Sequence, residues 1–174
     1  LITENSDNQI MILSHKRDLL VYIHDEIQNQ QIGTCGYYVG GMKKDALKAS
    51  ESRQLILGTF AMANEGLDIE TLNCLILASP KSDVIQAVGR VLRKDHLEMK
   101  PKIVDMVDIF SMFENQAGKR LKYYKTKGYV ITNIDITDNG EITNTEKIEY
   151  STAKPKSKPK KPETKEKEQD TSKS

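Results

Sequence analysis

The feature that most limits the fold of this chain is an alternation. Short, nearly uninterrupted apolar runs take turns with segments whose apolar residues recur every three or four positions. "QIMIL" (9–13) has the length and composition of a buried strand, and "RDLLVYIHDEIQNQ" (17–30) has the period of an amphipathic helix. "YYV" (37–39) runs into Gly40 and Gly41, and "KKDALKAS" follows as a short helix. "RQLILGT" (53–59) and "NCLILA" (73–78) are further strands, separated by the helical turn "AMANEG" that Gly66 ends. After a further helix at 82–95 come the strand "KIVDMVDI" (102–109), the helix "MFENQAGKRLKYYKTKG" (112–128) and a last strand "YVITNIDI" (129–136). "EITNTEKIEY" would pair with it as an edge ribbon. Strands apolar on both faces, separated by helices, predict an α/β fold with a mostly parallel central sheet covered on both sides.

Such sheets bind ligands beyond the carboxyl ends of their strands. That rule puts Ser14–Lys16, Gly40–Lys44, Thr59–Asp68 and Ser79–Ser82 on one rim. The charge of the chain narrows what the rim could hold. The formal net charge is +1, but 151–174 carries eight lysines against four acidic residues, so 1–150 is slightly acidic. A body of that kind has no broad basic groove, and nucleic-acid contacts would be local, made by a few loops. The segment 151–174, rich in Lys, Pro, Glu and Ser, is too polar to offset its ordering entropy and is expected to be a disordered tail behind a domain at 1–150.

Several classes of function find no support. Two cysteines, Cys35 and Cys74, give neither a disulfide framework nor metal spacing, and Cys74 lies in an apolar run where a buried, inert thiol is the plain reading. Three scattered histidines suggest no metal site. No apolar stretch approaches the ~20 residues that span a membrane, and no signal peptide is visible, so an intracellular, non-secreted protein of cytoplasm or nucleus is expected. The chain starts at Leu1 with its first strand close behind, which suggests a piece of a longer polypeptide.

"GYYVGGMKK" (36–44) imitates a phosphate loop, with glycines flanking a four-residue gap. Met42, however, stands where such a loop needs lysine, and no Ser or Thr follows Lys43. The paired glycines instead suit a sharp turn into a helix. Amides at the start of that helix, with Lys43 and Lys44, could hold a backbone phosphate, or the lysines could simply be solvated.

"SDVIQAVGRVLRKD" (82–95) poses the main question. Val84, Ile85, Val88, Val91 and Leu92 recur at helical spacing, and Ser82 or Asp83 is placed to cap the start. Arg90 and Arg93 fall one turn apart on one face, a pair suited to a phosphate. The bland alternative is a surface ion pair with Asp95 or Glu98. Asp105 and Asp108 could suggest metal or acid–base chemistry, but with no third ligand nearby a structural bond to backbone or Arg120 is the simpler role. Tyr22, Tyr123 and Tyr124 lie at core spacing on their helices.

Taken in order, these motifs resemble a known family. "ILGTFAMANEGLDIETLNCLILASP" (56–80) and Gln86-x-x-Gly89-Arg90-x-x-Arg93 look like motifs V and VI of superfamily-two helicases. "IMILSHKRDLL" (10–20) is similar to motif IV. "YYVGGMKK" and the stretch 104–131 resemble segments of a subgroup found in large DNA viruses and bacteriophages. The resemblance spans about 9–136. It implies a RecA-like three-layer domain, the second of two, with ATP in the cleft between them. The first domain, expected amino-terminal on the same polypeptide, would carry the phosphate loop and hold the magnesium, since neither a GKT-type loop nor a DExH-type motif occurs here.

Roles then follow from the resemblance. Arg90 and Arg93 match arginine fingers, and Gln86 matches the polar residue joining the nucleotide side to the nucleic-acid side. Gly66, Asp68 and Gly89 fall to the nucleotide, although Asp68 alternatively caps a turn or orients an arginine. Thr59 matches a backbone-phosphate ligand of DNA or RNA, as do Ser14, His15 and Lys16 in the motif IV loop and Gly40, Gly41 and Lys43 in the glycine turn. A different class of function, a non-catalytic RecA-like binding module, stays open. A flavodoxin-like or response-regulator domain would need acidic residues after the first strand, where this chain has "SHKRD".

Overall fold

The computed structural model describes residues 8–66, 68–91, 101–108 and 110–148. Two compact units divide the chain, one up to Lys127 and one from Gly128. In the first, β1 (Gln9–Ser14), α1 (Arg17–Asn29), β2 (Cys35–Tyr38), α2 (Lys44–Glu51), β3 (Leu55–Thr59), α3 (Phe60–Gly66), β4 (Leu72–Leu77), α4 (Ile85–Val91), β5 (Lys102–Asp105) and α5 (Ser111–Lys127) follow in order. The five strands form one sheet in the order β2-β3-β1-β4-β5, and every pairing is parallel.

The apolar runs earn their places by position. β1 lies at the centre and is buried at all six residues, which explains why "QIMILS" shows no alternation. One core cluster joins Ile10 and Ile12 of β1, Leu55 and Leu57 of β3 and Cys74 of β4 to Leu20 and Ile27 of α1. Side chains of the opposite parity belong to the other face. There Met11 and Leu13 crowd Gly58: a Cβ on that glycine would lie 3.2 Å from Met11 Cε and 3.3 Å from both Leu13 Cδ2 and the Tyr38 carbonyl oxygen. The glycine in "LILGT" therefore lets three strands pack without a bump.

Three expectations are corrected. The strand expected at 102–109 ends at Asp105; Met106 and Val107 are half exposed, because β5 is an edge strand whose pairing with β4 stops at Leu77. Within α4, Val84 and Val88 are buried as expected, but Ile85 is exposed and Ala87 takes its place in the core. Tyr22 is 63% exposed, so only Tyr124 of the three tyrosines is a core residue.

The second unit is an antiparallel ribbon of β6 (Ile131–Ile136) and β7 (Ile142–Ile148), which pair only with each other among the described residues. Its sequence explains this. Asn133 and Asp135 make one face of β6 polar, which does not suit a sheet covered on both sides. The unit boundary falls inside the 1–150 span expected for one domain. The lysine-rich segment 151–174 lies outside the described residues.

Candidate functional site

Parallel pairing brings the carboxyl ends of β1, β2 and β3 side by side. Ser14 is in register with Thr59, and Tyr38 with Gly58. Just beyond them a cavity of about 300 Å³ is lined by His15, Arg17, Gly40, Thr59, Phe60, Ala61, Met62 and Glu65. Three sequence-predicted residues, His15, Gly40 and Thr59, thus share one hollow, although they are 19 to 44 positions apart in the chain.

Each wall is fixed by a definable contact. Ser14 is fully buried and its hydroxyl accepts the Lys16 N–H at 3.0 Å. That bond holds the start of the loop in place. The His15 N–H donates to Ser79 Oγ at 3.0 Å, tying this loop to the β4–α4 loop. Arg17, which the motif reading passed over, donates through Nη2 to the Gly40 carbonyl at 2.8 Å. Gly41 has φ +88, a conformation that side chains resist, so the turn needs glycine there. Lys43 is the exposed residue preceding α2, and no side chain caps that helix. Lys16 is exposed as well.

The His15 ring lies tilted on Phe60 at 4.8 Å between centroids. On the same Phe60 ring, Lys81 Nζ stands 5.2 Å from the centroid. Although His15 is open on one side, desolvation against its neighbours lowers its pKa, and the Lys81 charge lowers it further.

On α4, the Asp83 carboxylate accepts the Ile85 N–H at 3.2 Å, so Asp83 rather than Ser82 supports the helix start. Gln86 is exposed. Gly89 has open space around it: a Cβ there would meet nothing within 4 Å. Arg90 donates through Nη2 to the Asn64 carbonyl of α3 at 3.0 Å, joining α3 to α4. Gly66 ends α3. Asp68 is exposed. Arg93, Asp95 and Glu98 lie outside the described residues.

Asp105 has the structural role expected of it. Arg120, 2% exposed, places Nε 2.7 Å from Asp105 Oδ2 and Nη2 2.7 Å from Oδ1. The second contact is an ion pair whose angle falls outside hydrogen-bond geometry. Tyr124 donates to the same carboxylate at 3.1 Å, and Arg120 Nη1 donates to the Lys81 carbonyl at 2.6 Å. Burial and the Asp105 charge push the Tyr124 phenol far above its ordinary range. The brace therefore fixes the loop that carries Lys81. Among the described residues no cluster of three or more His, Cys, Asp or Glu could hold a metal ion. No helix there is long and apolar enough to cross a membrane.

Residues 1–95 match the family model described as the helicase conserved C-terminal domain. The chain belongs to this family. A candidate ATP-dependent RNA helicase of Acanthamoeba polyphaga mimivirus is 38% identical over 133 residues, covering 75% of this chain and 26% of its own length. A candidate ATP-dependent RNA helicase of African swine fever virus is 33% identical over 94 residues, 53% of this chain and 18% of the relative. This helicase C-terminal domain thus spans about a quarter or less of the curated relatives it matches. The C-terminal domain of the DEAD-box protein Dbp5 superposes with TM-score 0.56 at 14% identity, over 67% of this chain and 69% of that one. At that identity the likeness concerns the fold, which is the RecA-like arrangement.

Proposed function

We propose that this helicase C-terminal domain is the second motor domain of an ATP-dependent nucleic-acid helicase or translocase. It would face a first RecA-like domain on the same polypeptide, which binds ATP and its magnesium. Hydrolysis of that nucleotide would supply the free energy for opening and closing the pair. The residues of this chain have two tasks in that reading. Arg90 and Arg93 neutralise charge growing on the γ-phosphate, with Gly66, Asp68 and Gly89 beside the nucleotide and Gln86 linking the two ligands. Thr59, His15, Lys16 and the Gly40–Gly41–Lys43 turn grip the backbone of a DNA or RNA strand, with Ser14 beneath them. Phosphate contacts of this kind carry little sequence preference.

The observation that carries the reading is the shared hollow of His15, Gly40 and Thr59 at the strand ends, next to the helix pair joined by Arg90. Gly89 adds support. Glycine in a helix costs about 1 kcal/mol relative to alanine, and nothing described in this chain needs the missing Cβ. An approach from outside the domain gives the glycine a purpose.

The test is a steady-state ATPase titration of the two-domain enzyme with single-stranded DNA and RNA. Arg90→Ala and Arg93→Ala should each lower stimulated kcat by roughly ten- to a thousandfold, with lysine rescuing poorly. Thr59→Ala should raise the nucleic-acid concentration for half-maximal stimulation and spare basal hydrolysis. A second reading keeps Arg90 structural, favoured by its bond to the Asn64 carbonyl. It requires Arg90→Ala to keep wild-type kcat and merely lower stability.

A further inference from the structure

We propose that Lys81, on the loop between β4 and α4, is an additional phosphate ligand of the strand-binding hollow and acts together with His15 across the Phe60 ring. The inference rests on the nucleic-acid reading of that hollow and extends it to a residue outside the motifs.

Position comes first. Lys81 is half-buried, and its ammonium stands over Phe60, which opens α3 directly after Thr59. His15 touches the same ring and lines the hollow that Thr59 also lines. Among the described residues the Lys81 ammonium meets no carboxylate; its company is the ring and the imidazole. A cation held near a second basic group, without an acid between them, is electrostatically incomplete. A phosphodiester oxygen supplies the missing charge.

The lysine is also held in place at some cost. Its carbonyl is the acceptor of Arg120 Nη1, and that arginine is buried in an ion pair with Asp105. On the other side, Ser79 Oγ accepts the His15 N–H. The loop carrying Lys81 is therefore pinned from both ends, which suits a ligand more than a solvated side chain.

Chemistry then distinguishes this pair from a fixed positive patch. The charged groups around His15 are Lys16 and Arg17 beside it in sequence, Glu65 from α3 and Lys81 from the β4–α4 loop. Of these, Lys81 is the one that acts on its titration, lowering it in addition to desolvation. An anion seated between them would favour the imidazolium. The bound state then holds more protons than the free state, so affinity rises as pH falls through the bound-state pKa and levels off below the free-state one.

The experiment uses the full 174-residue chain and fluorescence anisotropy with labelled oligo-dT and oligo-U at several salt concentrations and pH values from 5.5 to 8. Lys81→Ala should weaken binding about three- to tenfold and make the salt slope shallower by about 0.7, the share of one single-strand contact. Lys81→Arg should restore both. His15→Gln should flatten the pH dependence, and Lys81→Ala should move it to higher pH by relieving the imidazole. Tripolyphosphate and ATP serve as competitors: displacement only at far higher phosphate concentration than unlabelled oligonucleotide assigns the site to a strand, whereas equal potency overturns that. If Thr59→Ala weakens binding and Lys81→Ala does not, the Lys81 proposal fails while the strand-binding reading stands. If neither does, the strand-binding reading itself is wrong.

Discussion

Asp105→Ala should be among the most destabilising single substitutions in the first unit. The carboxylate it removes faces a guanidinium whose side chain is 1% exposed, and it also accepts from Tyr124. Removing one partner of a buried pair typically costs about 3–5 kcal/mol, because the other charge stays behind without water. Two features point to the lower end. Arg120 keeps the Lys81 carbonyl, and the Asp105 side chain is 16% exposed, so water can enter the vacated site. A loss of about 3 kcal/mol is a large part of the ~5–15 kcal/mol that holds a domain together. In urea, with m of about 2 kcal/mol/M, the midpoint should fall by about 1.5 M at unchanged m. The paired change Asp105→Leu with Arg120→Met should recover most of it, since a buried ion pair replaced by matching apolar groups is often neutral. A loss below about 1 kcal/mol for Asp105→Ala would refute the picture of an obligatory brace.

Other substitutions probe other links. Gly58→Ala should cost about 1–3 kcal/mol in the same urea titration, because Met11, Leu13 and the Tyr38 carbonyl must all give way. Gly89→Ala should do the reverse in this chain, stabilising α4 by about 0.5–1 kcal/mol, yet lower stimulated kcat in the two-domain enzyme. With a thiol reagent under native conditions, half-buried Cys35 should label first. Cys74, 2% exposed and with its thiol pKa raised by burial, should label only at the rate of unfolding.

Much of the sheet was legible because its strands obey one rule. Where burial on both faces is complete or nearly so, as in β1, β3 and β4, a continuous apolar run marks the strand to within two residues. The rule weakens at the margins, for physical reasons. β5 is an edge strand, so its apolar continuation Met106–Val107 leaves the sheet once β4 ends. The run "YVITNIDI" resembles a sheet strand by β-propensity alone, but Asn133 and Asp135 break the apolar pattern of one face, and the strand is exposed along most of its length in a two-stranded ribbon. Ile85 is exposed because period alone does not choose between neighbouring stripes of a helix; Ala87, small enough to approach its neighbours closely, takes the buried side.

The site divides along a different line. Residues whose contribution depends on backbone position were visible, since strand ends are fixed by the sheet: Ser14 and Thr59 are partners in register, and Gly40 follows the neighbouring strand. Residues whose contribution depends on side-chain reach were visible only in part: the Asp105–Arg120 pair was expected, and the longer spans were not. Arg17 sits one position past the expected loop, yet its long side chain crosses to the Gly40 carbonyl 23 residues away. Lys81 enters through an aromatic ring that it reaches from another loop, and Arg120 acts on that loop from a helix 39 residues downstream. No local pattern encodes such spans. A sequence signal existed in only one case: Arg120 and Tyr124, four apart on α5, present two donors on one helix face toward the single carboxylate at the end of β5. A buried arginine on an otherwise lysine-rich helix is expensive unless something fixed needs holding. Here that object is the β4–α4 loop, which the His15 N–H also holds through Ser79, so a helix 39 residues downstream fixes the spacing between the β1–α1 loop and α4.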